Sequence, residues 1–461
     1  MKWASEIVWI LAFAAASPAA THAASQARND PPPGFEAFAR VDLPNGLRTL
    51  IGKPLRTALF SEVLLVAHAG TGTPASHQEE VAHIAAQALT TGQRSADIPP
   101  VRVEMARLGV SPEFTVGREV AVFRFAVPTV NTLEFLRLLA DVLNRHTLPG
   151  EVWQDAIDRR AQELTGEQSD AWQRATSELT GMVWMTSAAQ PVVRPVSLRS
   201  GSVDITTLAG FWKQAYSPAK MVLSVWGDLP IDQVGPVVEH EFGRIAPANA
   251  SDGLVAPPEP ERRKAGSVDC LQDDSAVPAA LLVGAAADVD NDRSFYAWQI
   301  AIHILGASSN SRLQRRLRTE SQVVYTVEAA GVPVGARGMT LRIACQTDQV
   351  EATRKIILEE LQRLTSEAVS QEELDLARAL LRSRLKLDGA SFRDQFYRRS
   401  LAMLGSSAVR DPVRAEPILA DFTPRTLLEA LGPTIRPEQA SSVVISTHLE
   451  SVCEGSHETK P

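Results

Sequence analysis

The stretch Glu79 to Gly92 reads EEVAHIAAQALTTG, and two of its side chains stand at a metal-binding spacing. His83 and Gln87 lie four residues apart, so on a helix they share one face. Two histidines so placed, with a glutamate directly before the second, make an inverted zinc site. The histidines bind the metal and the glutamate takes a proton from its water. Here only His83 keeps a ligand type; Ala86 holds the place of the base and Gln87 that of the second ligand. A neutral amide oxygen is a poor zinc ligand beside imidazole, and alanine has no atom that accepts a proton.

A helix must carry this pattern. Ser76 precedes Glu79 by three residues, the spacing of a capping box. Val81, Ala82, Ile84, Ala85, Ala88 and Leu89 supply an apolar face, which predicts a helix from Ser76 to about Thr90. Ahead of it stand Leu43-Pro44-Asn45-Gly46-Leu47-Arg48 and then Val66-Ala67-His68-Ala69-Gly70.

This order resembles the M16 (pitrilysin-like) zinc peptidases, which carry LPNGL, a strand ending in AG, and then AHxxEHxxFxG. The likeness runs from about Phe38 to Leu449. In that family a downstream glutamate is the third zinc ligand. Glu163, 76 positions after Gln87 in Asp158-Arg-Arg-Ala-Gln-Glu163, falls at that place. The resemblance therefore implies a degenerate site of His83, Ala86, Gln87 and Glu163, with no metal on this chain. His68, His77 and His146 do not rebuild the motif; His77, six residues before His83, lies on another helix face.

A second constellation lies far downstream. Gly306 and the serine-rich run Ser308 to Ser311 lead into Arg312-Leu313, then Leu317-Arg318 and Tyr325-Thr-Val327. Taken singly, Arg318 reads as an exposed helix cation and Tyr325 as a half-buried strand aromatic. In the family a similar run carries an arginine and a tyrosine, seven apart, that hold substrate backbone beside the zinc. Arg318 and Tyr325 match that spacing, so the resemblance implies that they bind substrate. An arginine fork suits a peptide carbonyl, and a tyrosine hydroxyl can donate to a carbonyl oxygen gaining charge. The family's turn is richer in glycine; here only Gly306 remains.

The elements form two similar series. Up to Trp226 the pattern predicts strands, the His83 helix, two strands (Val110–Val116 and Val120–Val127), helices and a closing strand at Met221–Trp226. Asn131 is read as the cap of a helix reaching about Arg145. Ala246 to Gly266, proline-rich and charged, reads as a linker. Beyond it the order returns: a strand in Val277–Val289, a helix to Leu305, strands, the long helices Val350–Leu364 and Gln371–Leu387, and a strand at Ser442–Ser446. The fold class is α+β, with two homologous domains at 38–245 and 267–455. The resemblance implies a half-clamshell whose halves face across a chamber.

The 461 residues exceed what one core usually serves. Composition is that of a globular chain, and the net charge of −8 argues against nucleic acid as a partner. Lys2, the apolar run Ile7 to Ala16 and Thr21-His22-Ala23 read as a signal peptide over 1–23, too short in its apolar part to span a membrane. Residues 24–37 read as a loose mature terminus, and a periplasmic location follows. Cys270, Cys345 and Cys453 cannot all pair. Cys270 and Cys345 either bridge two strands or serve as small buried hydrophobes.

Some M16 peptidases divide labour between a zinc-bearing chain and a partner that supplies the arginine and tyrosine. On that resemblance this chain is expected to be inactive alone: the non-catalytic, peptide-clamping subunit of a periplasmic heterodimer. The homologous partner, with an intact HxxEH, would hold the zinc. A stand-alone peptide-binding or scaffold protein is the alternative.

Overall fold

The structure, a computed structural model, describes residues 35–55, 58–71, 79–92, 99–117, 119–145, 148–169, 171–183, 185–186, 203–247, 260–261, 266–273, 279–289, 291–320, 324–331, 338–405 and 414–447. The expected signal peptide and the Ser76 cap lie outside these residues. No helix among the described residues is long and apolar enough to cross a membrane.

The first half contains strands β1 (Phe35–Asp42), β2 (Arg48–Pro54), β3 (Phe60–Ala67), β4 (Ser111–Val116) and β5 (Ala121–Pro128). Its helices are α1 (Glu79–Thr91), α2 (Val101–Arg107), α3 (Thr132–Leu143), α4 (Gly150–Ser169) and α5 (Ala171–Val183). After the two-residue strand β6 (Met185–Thr186) come α6 (Ile205–Ala215), β7 (Met221–Trp226) and α7 (Ile231–Phe242). The second half holds β8 (Pro260–Glu261), β9 (Val268–Gln272), β10 (Ala279–Ala286), α8 (Asp292–Leu305), β11 (Val324–Gly331) and β12 (Gly338–Cys345). Then follow α9 (Val350–Ser366), α10 (Gln371–Ala390), α11 (Phe392–Leu404), α12 (Ala415–Asp421), α13 (Pro424–Thr434) and β13 (Ser441–Ser446).

The two sheets repeat one another. The first has the order β1-β2-β7-β3-β5-β4 and the second β11-β12-β10-β13-β9. Read from β4 and from β11, five successive strands correspond. Both series are antiparallel until their last pair, β7 with β2 and β13 with β9, which is parallel.

The central strands are buried on both faces, so they read as continuous apolar runs. Val63, Leu65 and Ala67 of β3 join the core under α1, α3, α6 and α7, while Leu64 and Val66 face the other way. That second face is covered by the other half. Phe396, Leu401 and Leu404 of α11 pack on the first sheet. In exchange Ala175, Leu179, Met182 and Val183 of α5 pack on Ala280, Leu282, Ala286, Val443 and Ile445 of the second. Each half thus lends the helix after its long helix to the other. Gly284 permits this: a Cβ there would lie 2.9 Å from Val183 Cγ2 and 3.0 Å from Leu179 Cγ. The bidentate pair of Arg393 with Glu62 and the Ser224–Ser400 hydroxyl bond at 2.7 Å cross the same boundary.

Three expectations change. The first strand begins at Phe35, within the stretch expected to be loose. The expected linker contributes Pro260–Glu261, which pairs with Met185–Thr186. Asn131 precedes α3 but its side chain caps nothing: a 3₁₀ turn occupies Thr129–Asn131, and the Asn131 amide donates instead to the Leu108 carbonyl at 3.0 Å.

Candidate functional site

Helix α1 lies against α4, which brings the His83 face to the helix that carries Glu163. Ala86 is fully buried, and Gln87 is buried with its Oε1 lacking any hydrogen-bond partner. His83 is partly buried; loss of solvent, helped by the nearby Arg160 charge, lowers its pKa to about 3, so the ring is neutral. Glu163 does not face an open metal position. Arg160, one turn earlier on α4 and buried, donates from Nε to Glu80 Oε2 at 2.7 Å and from Nη1 to Glu163 Oε2 at 3.4 Å. Among the described residues no group of three His, Cys, Asp or Glu side chains comes together. One imidazole, one amide oxygen and a carboxylate engaged by a guanidinium do not fit a catalytic zinc, which wants three ligands and an open position.

His68 has a different task. Its Nε2 donates to the Leu404 carbonyl at 2.9 Å, and Arg48 donates to the carbonyls of Met403 and, at 3.0 Å, Ala219. The motif residues around the first strands therefore hold the end of the borrowed helix α11. His77 and His146 lie outside the described residues.

The second constellation is built on unusual backbone. Gly306 ends α8, and a Cβ there would lie 2.8 Å from that of Ala329 on β11, which explains why this one glycine of the turn remains. The chain then forms a π-helix at Gln314–Glu320, a rare element frequent at functional sites. Three arginines of this run are neutralised. Arg312, buried, grips Glu373 with both prongs at 2.7 and 3.0 Å. Arg316 reaches Glu360 at 2.8 Å and Glu359 at 2.6 Å, and Arg315 lies 3.9 Å from Glu373. Arg318 is exposed and has no ion pair or hydrogen bond among the described residues.

Tyr325 follows on β11, an edge strand tied to the π-helix by Gln314 Nε2 donating to the Val327 carbonyl at 2.9 Å. Val324 pairs with Cys345 and Thr326 with Ala344, so the ladder slips at Tyr325. Such a bulge re-aims a side chain; the Tyr325 side chain itself lies outside the described part. The structure therefore joins the segments of Arg318 and Tyr325 through backbone and packing.

Sequence reasoning missed Arg160 and the acidic partners of the arginine run. The Arg160–Glu163 spacing of three was legible as a helical ion pair, but the link to Glu80 is tertiary. Cys270 is disulfide-bonded, whereas Cys345 is free and buried, its thiol pushed up to about 11 by burial. These two cysteines therefore do not pair with each other. Cys453 lies outside the described residues.

Two α+β halves of one topology carry His83, Ala86, Gln87 and Glu163 on the first and the segments of Arg318 and Tyr325 on the second. Residues 202–381 match the family described as Peptidase M16 inactive domain. An uncharacterized zinc protease of Rickettsia bellii is 21% identical over 356 residues, spanning 76% of this chain and 84% of that protein. A protease from Helicobacter pylori superposes with a TM-score of 0.75 at 13% identity, covering 89% of this chain and 100% of that one. The periplasmic protease PqqL from Escherichia coli superposes with a TM-score of 0.65 at 14% identity, covering 96% of this chain but 49% of its own. Residues 202–381 therefore carry the family's inactive-domain pattern, and the chain as a whole has the fold of the M16-like proteins it superposes on.

Proposed function

We propose that this chain is the non-catalytic, substrate-binding subunit of a heterodimeric M16 zinc peptidase. The observation that carries the reading is Arg318. Of four arginines at 312, 315, 316 and 318, three are neutralised by glutamates of α9 and α10, and only Arg318 stays exposed without such a partner among the described residues. A guanidinium left free beside an edge strand is suited to grip a peptide carbonyl. Tyr325 would donate its hydroxyl to the carbonyl oxygen under attack. Zinc and the proton-accepting glutamate belong to a homologous partner with an intact HxxEH, and the substrate is a peptide. The superposition on about half of PqqL is compatible with a unit that works beside another. The leader-like N-terminus and the disulfide at Cys270 support an oxidising, periplasmic location.

The test is peptidase activity of this chain, of an intact-motif homologue from the same organism, and of their mixture. Activity confined to the mixture is expected. A homologue fully active alone and unchanged by mixing would favour the stand-alone peptide-binding or scaffold reading. Zinc-dependent hydrolysis by this chain alone would overturn both.

A further inference from the structure

We propose that the guanidinium of Arg160 stands in for the metal, closing the seam between α1 and α4 with a cation of the chain's own. Two independent observations point there. First, the carboxylate at the third-ligand place, Glu163, is held by Arg160 Nη1 at 3.4 Å, while the same guanidinium holds Glu80 of α1 through Nε at 2.7 Å. Arg160 is buried, its side chain only 7% exposed, so the bridge runs from an interior guanidinium to the half-buried Glu80 and the exposed Glu163. Second, the Oε1 of Gln87 is buried and has no hydrogen-bond partner, an acceptor stranded where a second ligand would stand.

A zinc ion at this face would meet the positive guanidinium at short range in a partly desolvated place, where like charges repel strongly. Its third ligand, Glu163, would have to share its carboxylate between the metal and Arg160. On this reading two features oppose a metal here, the missing donors and a competing cation. Restoring the donors alone should not restore the site. This inference concerns the first half alone and does not depend on any partner.

The experiment compares Ala86→Glu/Gln87→His with the same pair plus Arg160→Gln, and with the pair plus Arg160→Lys. Zinc per chain is measured after dialysis, and the melting temperature with and without added zinc. The double variant keeps Arg160 and the bridge, and is expected to hold zinc far below one per chain. Removing the charge with glutamine should tighten zinc binding about 100-fold, the upper range for groups that surround a ligand set, and raise the melting temperature on zinc addition. Lysine, which keeps the charge, should not. Stoichiometric zinc in the double variant would overturn the proposal, as would an absence of gain with glutamine. Should the glutamine variant fold poorly, the zinc content of the double variant still decides.

Discussion

Phe396 stacks on Trp226 with ring centroids 4.6 Å apart and planes at 24°, although the two belong to different halves of the chain. Phe396 also meets Phe38 edge-on at 5.9 Å and is fully buried. The contact is the centre of the borrowed helix α11. Replacing Phe396 with alanine is expected to cost about 3–5 kcal/mol, the range for a large buried aromatic. Urea unfolding followed by tryptophan fluorescence reads this directly. A loss within about 0.5 kcal/mol, as at an ordinary surface site, would mean that α11 does not depend on this seat.

Gly284 makes the reciprocal seat. Valine there would drive its side chain into Val183 and Leu179 of α5, whose atoms already approach a Cβ to 2.9 and 3.0 Å. We expect a loss of about 1–3 kcal/mol, typical of overpacking. Adding Leu179→Ala should cost less than the sum of the single changes, because the two sites share one space. Strict additivity in a denaturation cycle would argue against that shared space.

Glu373 links the arginine run to α10. The Arg312 guanidinium, with help from the Ser370 backbone, holds its carboxyl near 2, below the ordinary 4.5. A depressed carboxyl stabilises the fold above its unfolded pKa and loses that contribution as pH falls. Stability should therefore drop as pH is lowered from about 4.5 toward 2. Glu373→Gln should flatten this part of a melting-temperature profile. An unchanged slope would show that other carboxylates set it.

Arg318 should matter to catalysis and not to folding. Exposed and without an ion pair among the described residues, it has little to lose on truncation. Arg318→Ala should leave the melting temperature unchanged and lower kcat/KM of the active pair by about 10- to 100-fold, the size of one hydrogen bond to a charged group. Tyr325→Phe should act mainly on kcat, since its bond strengthens as charge develops. Equal activity with and without Arg318 would remove it from the substrate site.

Much of this was written in local patterns. The period of Val81 to Leu89 sets α1, and the types at Ala86 and Gln87 alone remove the base and a ligand. The order of strands and long helices announces two similar halves because period and length are local properties. The helix α11 was not legible. Its run FRDQFYRRSLAML is crowded with charge, and its apolar residues match a surface folded elsewhere. The helix α7 escaped as well, with Gly235 and Pro236 inside it.

The chain's sequence by itself determined which residue types stand at 83, 86, 87 and 163, how many times the unit repeats, and where Arg318 and Tyr325 stand along it. The tertiary structure decided that α5 and α11 change places, that His68 grips the end of α11, and that Arg160 joins Glu80 to Glu163 across 80 residues of chain. The reason is physical. The type at one position is a property of one residue, whereas a shared sheet face or a bridge from a buried arginine exists only once distant segments meet.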